Sequence, residues 1–402
     1  MICGNKDKAI CMAKYAYKTV PIYKNYAEEK KLNIEDISYE EIPKINKSFL
    51  LKQGMSMLST QYMGKYVQNK LIHTRTSGST GTYADVFWDP MEKRRSLLSL
   101  WLYRKHYYGI TPSDKLFYFY PSYDGNIEYY ETANKLAISK ILFVDNDLEE
   151  ILFRINKSRP DWMILQPSFA SMLCGYIEKN QSEIPDSIRY IEFTGEYLEE
   201  SVRKRTKEIF RCRIANQYGS KEVNSIAYEC PQGHLHIMED NVLIEILDNH
   251  KEGEIYLTTL HNKAMPMVRF NIGDRGRVRH DINCSCGNKG SILELKAGRD
   301  DDWILRKDGT KIHAYKYMQI VQKINYKMDG EILQFQIVQK DWNVFIFHLV
   351  IEEKQMEQRI AEMLHNELNC SIDDQTIIKI QFHDHLIPDK KTGKLACFYC
   401  EI

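Results

Sequence analysis

The alternation of hydrophobic and polar positions divides the chain into helical and strand-like segments. Residues up to about 69 follow a mainly helical pattern, and residues 90–108 have the period of an amphipathic helix. Beyond them, short apolar runs alternate with helical periods. The predicted strands are 116–120, 141–144, 162–165, 188–193 and 213–218, and the predicted helices are 148–157, 169–179 and 198–210. This alternation indicates a mostly parallel sheet covered by helices.

The pattern changes after residue 224. Residues 242–247 and 254–260 alternate between apolar and polar side chains, which predicts antiparallel strands. The predicted elements near the C-terminus are a hairpin over 332–338 and 343–351, a helix over 354–368 and a strand over 376–382. The last part of the chain therefore has the pattern of a small α+β unit.

A chain of 402 residues is longer than one hydrophobic core usually supports, so we expect two domains. A short polar run at 299–302 precedes the last segment, and we place the boundary there. The expected fold is α/β, with a large N-terminal domain, 1–298, of mixed sheets and helices. Its residues 225–298 are β-rich, and a small α+β domain spans 299–402.

Charge and cysteine content exclude several classes of protein. Lys and Arg, 55 in total, balance 55 Asp and Glu, so we expect no basic surface for nucleic acid. Charges interrupt the first 30 residues, which contain no apolar run of signal-peptide or membrane-span length. Without a secretion signal, the 10 cysteines are expected to be reduced thiols. We therefore expect a cytoplasmic protein with neither a nucleic-acid nor a membrane partner.

Residues 76–82 form a glycine-rich run, Thr-Ser-Gly-Ser-Thr-Gly-Thr. Glycine lets backbone amides approach phosphate oxygens closely, and Ser and Thr hydroxyls add further donors. The run lacks the lysine of a Walker A loop, so it does not predict a P-loop NTPase. Taken alone, a flexible surface loop explains it nearly as well.

Two further runs lie where predicted strands end, Phe-Thr-Gly-Glu at 193–196 and Asn-Gln-Tyr-Gly-Ser-Lys-Glu at 216–222. Ligands of parallel sheets bind beyond these carboxyl ends. Tyr218 can stack on a base, and Glu222 can bind Mg²⁺. The alternative for 216–222 is a strand that enters a helix, with Tyr218 in the core.

Two polar turns complete the candidate residues. Asp274 ends the run Met-Val-Arg-Phe-Asn-Ile-Gly-Asp at 267–274, where its carboxylate can accept both ribose hydroxyls. Arg299 belongs to Gly-Arg-Asp-Asp-Asp at 298–302 and can pair with a phosphate or with the ribose. Gly-Asp and Gly-Arg turns are common on protein surfaces, so the information lies in the order of the runs.

The five runs follow the order shared by acyl-adenylate-forming enzymes, the AMP-dependent synthetase/ligase superfamily, which the chain resembles from about residue 74 onward. It is most similar to the branch of phenylacetate–CoA ligase and coenzyme F390 synthetase. Residues 230–240 and Cys-Ser-Cys-Gly at 284–287 are features that this branch tends to carry. The resemblance implies a large adenylation domain followed by a small mobile domain.

The resemblance also implies an activity and a set of site residues. A carboxylic acid attacks ATP to give acyl-AMP and pyrophosphate, and the thiol of coenzyme A or of a carrier protein's phosphopantetheine then displaces AMP. The catalytic residues by resemblance are Lys394, Glu222 and Arg299, and the hinge is Asp301. The residues implied to bind ATP are Ser77, Gly78, Ser79, Thr80, Gly81, Gly195, Glu196, Asn216, Gln217, Tyr218, Gly219, Asp274 and Arg299, with Glu222 holding Mg²⁺.

Some features depart from the family or leave alternatives open. Lys221 stands where the family often has Thr, and residues 121–130 replace a glycine-rich turn that lines the acyl pocket in relatives. Aromatic residues in the middle of the chain favour an aryl acid, with core packing as the alternative. The alternative functions are transfer to an amine or hydroxyl acceptor instead of a thiol, and nucleotide binding by a protein with a degenerate site. The oligomeric state is open, with a homodimer as one option.

Cys230, His236, Cys284 and Cys286 form a candidate zinc-binding set. His234 competes with His236 for the nitrogen position. The spacing alone slightly favours unligated reduced thiols, because it is irregular compared with zinc ribbons and fingers. The resemblance to relatives with a similar pattern favours a structural zinc ion.

Overall fold

The computed structural model describes residues 2–46, 49–50, 54–75, 84–119, 129–138, 145–247, 252–299, 303–328, 331–369, 376–387 and 395–402. Within them the α-helices are α1 (Ile2–Thr19), α2 (Pro21–Lys30), α3 (Met63–Val67), α4 (Pro90–Ser96), α5 (Leu98–Tyr103), α6 (Asp145–Ser158), α7 (Pro167–Asn180), α8 (Glu200–Phe210), α9 (Tyr315–Lys327) and α10 (Glu357–Asn369). Short 3-10 or π segments occupy Tyr39–Glu41, Gly54–Met57, Thr60–Tyr62, Arg104–Tyr108 and Lys354–Met356.

The strands are β1 (Ile72–Arg75), β2 (Asp85–Trp88), β3 (Leu116–Phe119), β4 (Tyr129–Thr132), β5 (Lys135–Ile138), β6 (Trp162–Leu165), β7 (Tyr190–Thr194), β8 (Arg213–Ser220), β9 (Asn224–Glu229), β10 (Leu235–Ile237), β11 (Val242–Leu247), β12 (Gly253–Thr259), β13 (Phe270–Arg279), β14 (Ile292–Arg299), β15 (Trp303–Leu305), β16 (Lys311–His313), β17 (Ile332–Asp341), β18 (Val344–Ile351), β19 (Ile377–Phe382) and β20 (Phe398–Cys400). The chain divides into two compact units, each built from two segments.

The first unit spans residues 1–111 and 217–296. Its strands follow the order β11-β12-β13-β14-β10-β9-β8. Only residues 217–220 of β8 belong to this unit. Strands β1 and β2 form a separate antiparallel pair. Helix α1 packs on β11 and β12 through Ala9, Ala13 and Ala16, whose spacing places them on one face of the helix. These small residues let the helix backbone lie close to the sheet.

The second unit spans residues 112–216 and 297–402. Its first segment has the strand order β4-β5-β3-β6-β7-β8, in which β3 is parallel to β5 and β6, and β6 is parallel to β7. Ile151, Phe169 and Leu173 from helices α6 and α7 are buried in its core. The second segment contains the sheet β19-β18-β17-β20, whose core includes residues of α9 and α10.

The predicted mostly parallel sheet is confirmed, because β3, β6 and β7 lie in the predicted runs and pair in parallel. Helices α6, α7 and α8 and the antiparallel pairs β11/β12 and β17/β18 also confirm the pattern. Residues 217–219, predicted to fall at the carboxyl end of a strand, lie in the last part of β8, but the alternative of a strand that enters a helix is wrong. Strand β8 continues to Ser220 and returns as the antiparallel strand β9. The predicted strand 141–144 lies outside the described residues.

The division into an N-terminal domain, 1–298, and a mobile C-terminal domain, 299–402, stays a prediction. The compact units follow a different grouping, because residues 112–216 share a unit with the C-terminal segment. No helix in the described ranges combines the length and the apolar character that a membrane-spanning segment requires.

Candidate functional site

The predicted site residues are distributed over both units, and several lie outside the described ranges. Outside them are the glycine-loop residues Ser77, Gly78, Ser79, Thr80 and Gly81, the predicted hinge Asp301 and the predicted catalytic residue Lys394. Arg299 is the last residue of β14. Arg75 of β1, before the glycine run, pairs with Asp85 of β2, after it.

The β8–β9 hairpin carries the run at 216–222. A side chain at Gly219 would meet the Asn224 carbonyl oxygen at 2.5 Å, so this position requires glycine. The strand register shifts between Tyr218 and Gly219. Asn224 closes the turn with a φ of 68°, a left-handed conformation that asparagine tolerates better than most residues. The hairpin therefore fixes Tyr218 in strand β8 and Glu222 in the turn that follows it.

Tyr218 and Asp274 meet directly in the first unit. The Tyr218 hydroxyl donates a hydrogen bond of 2.7 Å to Asp274 Oδ2, although the residues are 56 positions apart. Asp274 lies in β13 after Gly273, whose φ of 82° favours glycine. Both side chains are half-buried. An aromatic ring and a carboxylate thus lie next to each other, as binding of a base and its ribose requires.

Glu222 occupies the turn between β8 and β9 and is only 7% exposed. The indole of Trp88, at the end of β2, donates to the backbone carbonyl of the preceding Lys221 at 3.3 Å. Asn224 Nδ2 donates to Ser96 Oγ at 2.7 Å, which attaches the turn to helix α4. One carboxylate beside a phosphate-bearing substrate is a usual protein contribution to Mg²⁺ binding.

Gly195, Glu196 and Asn216 lie in the second unit. Gly195 follows β7 with a φ of 86°. The Glu196 carboxylate accepts hydrogen bonds from the Ser168 amide and hydroxyl, both at 2.9 Å, and from the Leu395 amide at 3.2 Å. Glu196 therefore links the first turn of α7 to the chain beside Lys394, contacts that the sequence did not indicate.

Arg269, in the run at 267–274, has a structural role that sequence reasoning missed. Its guanidinium forms a two-point ion pair with Glu245, with contacts of 2.8 and 3.1 Å. It also donates to the carbonyl oxygens of Tyr39, Glu40 and Ile42 at 2.7–3.3 Å. Arg269 is 5% exposed, so it joins the N-terminal segment to the start of β13 rather than facing solvent.

Cys230, His236, Cys284 and Cys286 converge in the first unit, and their ligand atoms all lie within 4.8 Å of one another. Cys230 Sγ is 3.7 Å from Cys284 Sγ, and Cys286 Sγ is 3.3 Å from His236 Nε2. His234 also approaches the cluster, with Nδ1 at 3.1 Å from Cys284 Sγ. The structure therefore brings together the predicted ligand set while keeping His234 in contact with it.

The donor set and its spacing fit tetrahedral zinc. Bond lengths of about 2.3 Å to sulfur and about 2.0 Å to nitrogen place two sulfurs about 3.8 Å apart and a sulfur–nitrogen pair about 3.5 Å apart. Burial raises the pKa of the Cys230 thiol to about 12. Burial also acts to raise the pKa of Cys286, but hydrogen bonds from the Asn288 amide and the Tyr107 hydroxyl lower it overall. Burial lowers the pKa of His236, which favours the neutral imidazole.

Comparison with known proteins finds a family model for the C-terminal part of the chain and sequence relatives over most of its length. The model of the CapK C-terminal domain matches residues 304–399. The protein CapK of Staphylococcus aureus is 23% identical over 392 residues, covering 93% of this chain and 82% of that protein. Phenylacetate-coenzyme A ligase of Thermus thermophilus is 22% identical over 291 residues, covering 69% of this chain and 63% of that ligase. The alignment thus spans less than two thirds of the Thermus ligase.

Solved structures give the fold. A 2-hydroxyisobutyryl-CoA ligase in the postadenylation state, in complex with 2-HIB-AMP, matches with a TM-score of 0.73 and 14% identity. The match covers 99% of this chain and 89% of that ligase. The chain is therefore similar in sequence to CapK and to phenylacetate-coenzyme A ligases, and it shares the fold of an acyl-CoA ligase solved with an acyl-AMP.

Proposed function

We propose that this protein activates a carboxylic acid with ATP to form an acyl-AMP, and then transfers the acyl group to a thiol. The contact between Tyr218 and Asp274 carries the proposal, because it joins two runs that the sequence assigns to the adenine and the ribose. A carboxylate oxygen of the acid attacks the α-phosphorus of ATP, and the bond to the β-phosphate oxygen breaks, releasing pyrophosphate. The thiol sulfur then attacks the acyl carbon, AMP leaves, and the thiol proton passes to solvent.

The side chains have distinct parts in this scheme. Tyr218 stacks on the adenine, and Asp274 accepts the ribose hydroxyls. Glu222 holds Mg²⁺, which neutralises triphosphate charge when bound. The glycine run at 76–82 holds the β- and γ-phosphates, and Arg299 contacts the ribose or a phosphate. Because both reactants are anions, catalysis depends on positioning and charge neutralisation, and Lys394 provides the cation for the first step.

An aryl acid is the proposed substrate, with coenzyme A or a carrier protein as the acceptor. Support for the acid comes from the relatives named phenylacetate-coenzyme A ligase. The phenylalanines expected to favour an aromatic pocket give no such support. Phe117, Phe119 and Phe169 are at most 2% exposed in the core, and Phe119 stacks on Phe169 with ring centres 4.1 Å apart.

Pyrophosphate exchange with a panel of aryl and aliphatic acids tests the proposal. We expect exchange that depends on an aryl acid, followed by acyl transfer to a thiol when thiol, amine and hydroxyl acceptors are offered separately. Lys394→Ala should abolish exchange and leave transfer from preformed acyl-AMP largely intact, whereas the neighbouring Lys391→Ala should change neither. Equal loss of both steps in Lys394→Ala contradicts the assignment of Lys394. No exchange with any acid points instead to a nucleotide-binding protein without ligase activity.

We also propose that Cys230, His236, Cys284 and Cys286 hold a structural zinc ion. Four protein ligands close the coordination sphere and leave no position for a substrate, which is typical of structural rather than catalytic zinc. Cys230 follows β9, His236 lies in β10, and the two later cysteines lie between β13 and β14. A metal here would join β9, β10 and the β13–β14 connection, bracing the sheet that also carries Tyr218 and Asp274.

A further inference from the structure

Hydrogen-bond donors lie next to the sulfur atoms of the candidate zinc ligands. Cys286 Sγ accepts from the Asn288 amide at 3.4 Å and lies 3.6 Å from the Tyr107 hydroxyl. Cys284 Sγ lies 3.1 Å from His234 Nδ1. Two side chains, Tyr107 and His234, therefore contact ligand sulfurs without belonging to the predicted ligand set.

Zinc bound by the four candidate ligands creates a charge that the protein must compensate. Zn²⁺ brings two positive charges and three thiolates bring three negative ones, so the complex with a neutral imidazole has one negative charge in excess. Cys230 is 1% exposed, Cys284 is 6% exposed and His236 is fully buried, so water cannot solvate this charge. Groups that donate hydrogen bonds to the thiolates can stabilise it instead.

His234 and His236 have different relations to the cluster. The group whose ligand atoms all lie within 4.8 Å of one another contains His236 and not His234. His236 is fully buried in β10, whereas His234 is half-buried in the connection before that strand. A fourth ligand must lie near all three sulfurs, but a hydrogen-bond donor needs only one, and His234 Nδ1 approaches Cys284. The geometry thus favours His236 as the nitrogen ligand.

Aromatic packing holds Tyr107 beside Cys286. The rings of Tyr107 and Tyr103 stack with centres 5.6 Å apart, and Tyr103 stacks in turn on Tyr228 of β9 at 6.2 Å. Asn288 Nδ2 donates to the Tyr103 hydroxyl at 3.1 Å, which ties the loop containing Cys286 to the same stack. The stack depends on rings rather than on the Tyr107 hydroxyl, so Tyr107→Phe isolates the contact with sulfur.

We propose that His234 and Tyr107 are positioning residues for the zinc ion, because each donates a hydrogen bond to a ligand thiolate and neither binds the metal. His234 donates through its Nδ1–H to Cys284, and Tyr107 donates through its hydroxyl to Cys286. This inference rests on the proposed zinc site. It adds two residues to that site and leaves His236 as its nitrogen ligand.

Zinc affinity, measured by competition with a chromophoric chelator, tests this role. We expect His234→Ala and Tyr107→Phe each to weaken Zn²⁺ binding about tenfold, the effect usual for groups that support a metal ligand. His234→Asn keeps an N–H donor close to the position of Nδ1 and should restore the affinity. The controls are His73→Ala and Tyr256→Phe, which remove hydrogen bonds to carboxylates elsewhere in the same unit and should not change the affinity.

Co²⁺, a coloured substitute for Zn²⁺, identifies the nitrogen ligand. The absorption bands of the Co²⁺ protein should be the same in His234→Ala as in wild type, whereas His236→Ala should shift them, since it removes a ligand. The opposite pattern makes His234 the ligand and overturns its role as a donor, as does equal weakening of Zn²⁺ binding in His234→Asn and His234→Ala. Unchanged zinc affinity in Tyr107→Phe overturns the role of Tyr107. A folded wild type that binds neither metal overturns the zinc site itself.

Discussion

Replacing Tyr218 with phenylalanine removes one hydroxyl and keeps the ring, so it isolates the contact with Asp274 from stacking on a base. The hydroxyl donates to Asp274 Oδ2 at 2.7 Å. A hydrogen bond to a charged group contributes about 1.5–3 kcal/mol when well buried. Both residues are half-buried and water competes for the carboxylate, so we take the lower end of this range. A loss of about 1.4 kcal/mol corresponds to a tenfold change in an equilibrium constant.

We therefore expect the KM for ATP to rise about tenfold in Tyr218→Phe, with kcat within about twofold of wild type, because the ribose contact is the same in the ground and transition states. Steady-state kinetics with a saturating acid measures both constants. Tyr256→Phe is the matched control, since its hydroxyl donates to the Glu254 carboxylate at 2.9 Å in the same unit. An unchanged KM in Tyr218→Phe refutes the reasoning. A lower KM refutes it differently, by showing that the hydroxyl competes with the ribose for Asp274.

Two further predictions concern stability and metal content. Arg269→Met removes the guanidinium that donates to Glu245 and to three carbonyl oxygens. Urea unfolding should show that the free energy of unfolding falls by about 3–5 kcal/mol. Arg279→Met breaks ion pairs with Asp281 and Glu294, whose side chains are 68% and 38% exposed, so it should cost about 1 kcal/mol, and a loss equal to that of Arg269→Met contradicts the burial argument. Purified protein should contain about one zinc ion per chain. Cys284→Ala should lose it and unfold more easily, unlike Cys11→Ala at an exposed thiol, whereas a metal-free, fully folded wild type rules the zinc site out.

The parallel sheet was predictable because periodicity is a local signal. Strands β6 and β7 are short apolar runs between helical periods, and they form where the pattern places them. The β8–β9 hairpin was not predictable in the same way. Its turn contains Lys221 and Glu222 instead of a strong turn pair, and it depends on the close approach of Gly219 to Asn224. Sequence reasoning therefore ended the strand at Tyr218 instead of Ser220 and did not predict the return strand β9.

Sequence reasoning could predict candidate site residues where the chemistry of a side chain by itself suggests a function, but it could not predict the residues that such a side chain contacts. The cysteine and histidine set was predicted through the resemblance to relatives with a similar pattern, since its spacing alone slightly favours unligated thiols, and the structure brings the four residues together. The partners of Glu196 were not found, since Ser168 and Leu395 lie 28 and 199 positions away in sequence. A carboxylate after a strand suggests a ligand, but nothing local indicates which amides it accepts from.

The run at 267–274 combines a residue that supports the fold with a residue proposed to bind the ribose. Arg269 pairs with Glu245, and its carbonyl oxygen accepts a 3.0 Å hydrogen bond from the Ile45 amide, which fixes the start of β13. Five residues later, the Asp274 carboxylate accepts a hydrogen bond from the Tyr218 hydroxyl. Unfolding measurements on Arg269→Met and KM measurements on Tyr218→Phe therefore separate the two parts of one motif. If Arg269 only fixes the strand, a folded Arg269→Met enzyme should keep the kcat of the wild type, because no described contact of Arg269 reaches Tyr218 or Asp274.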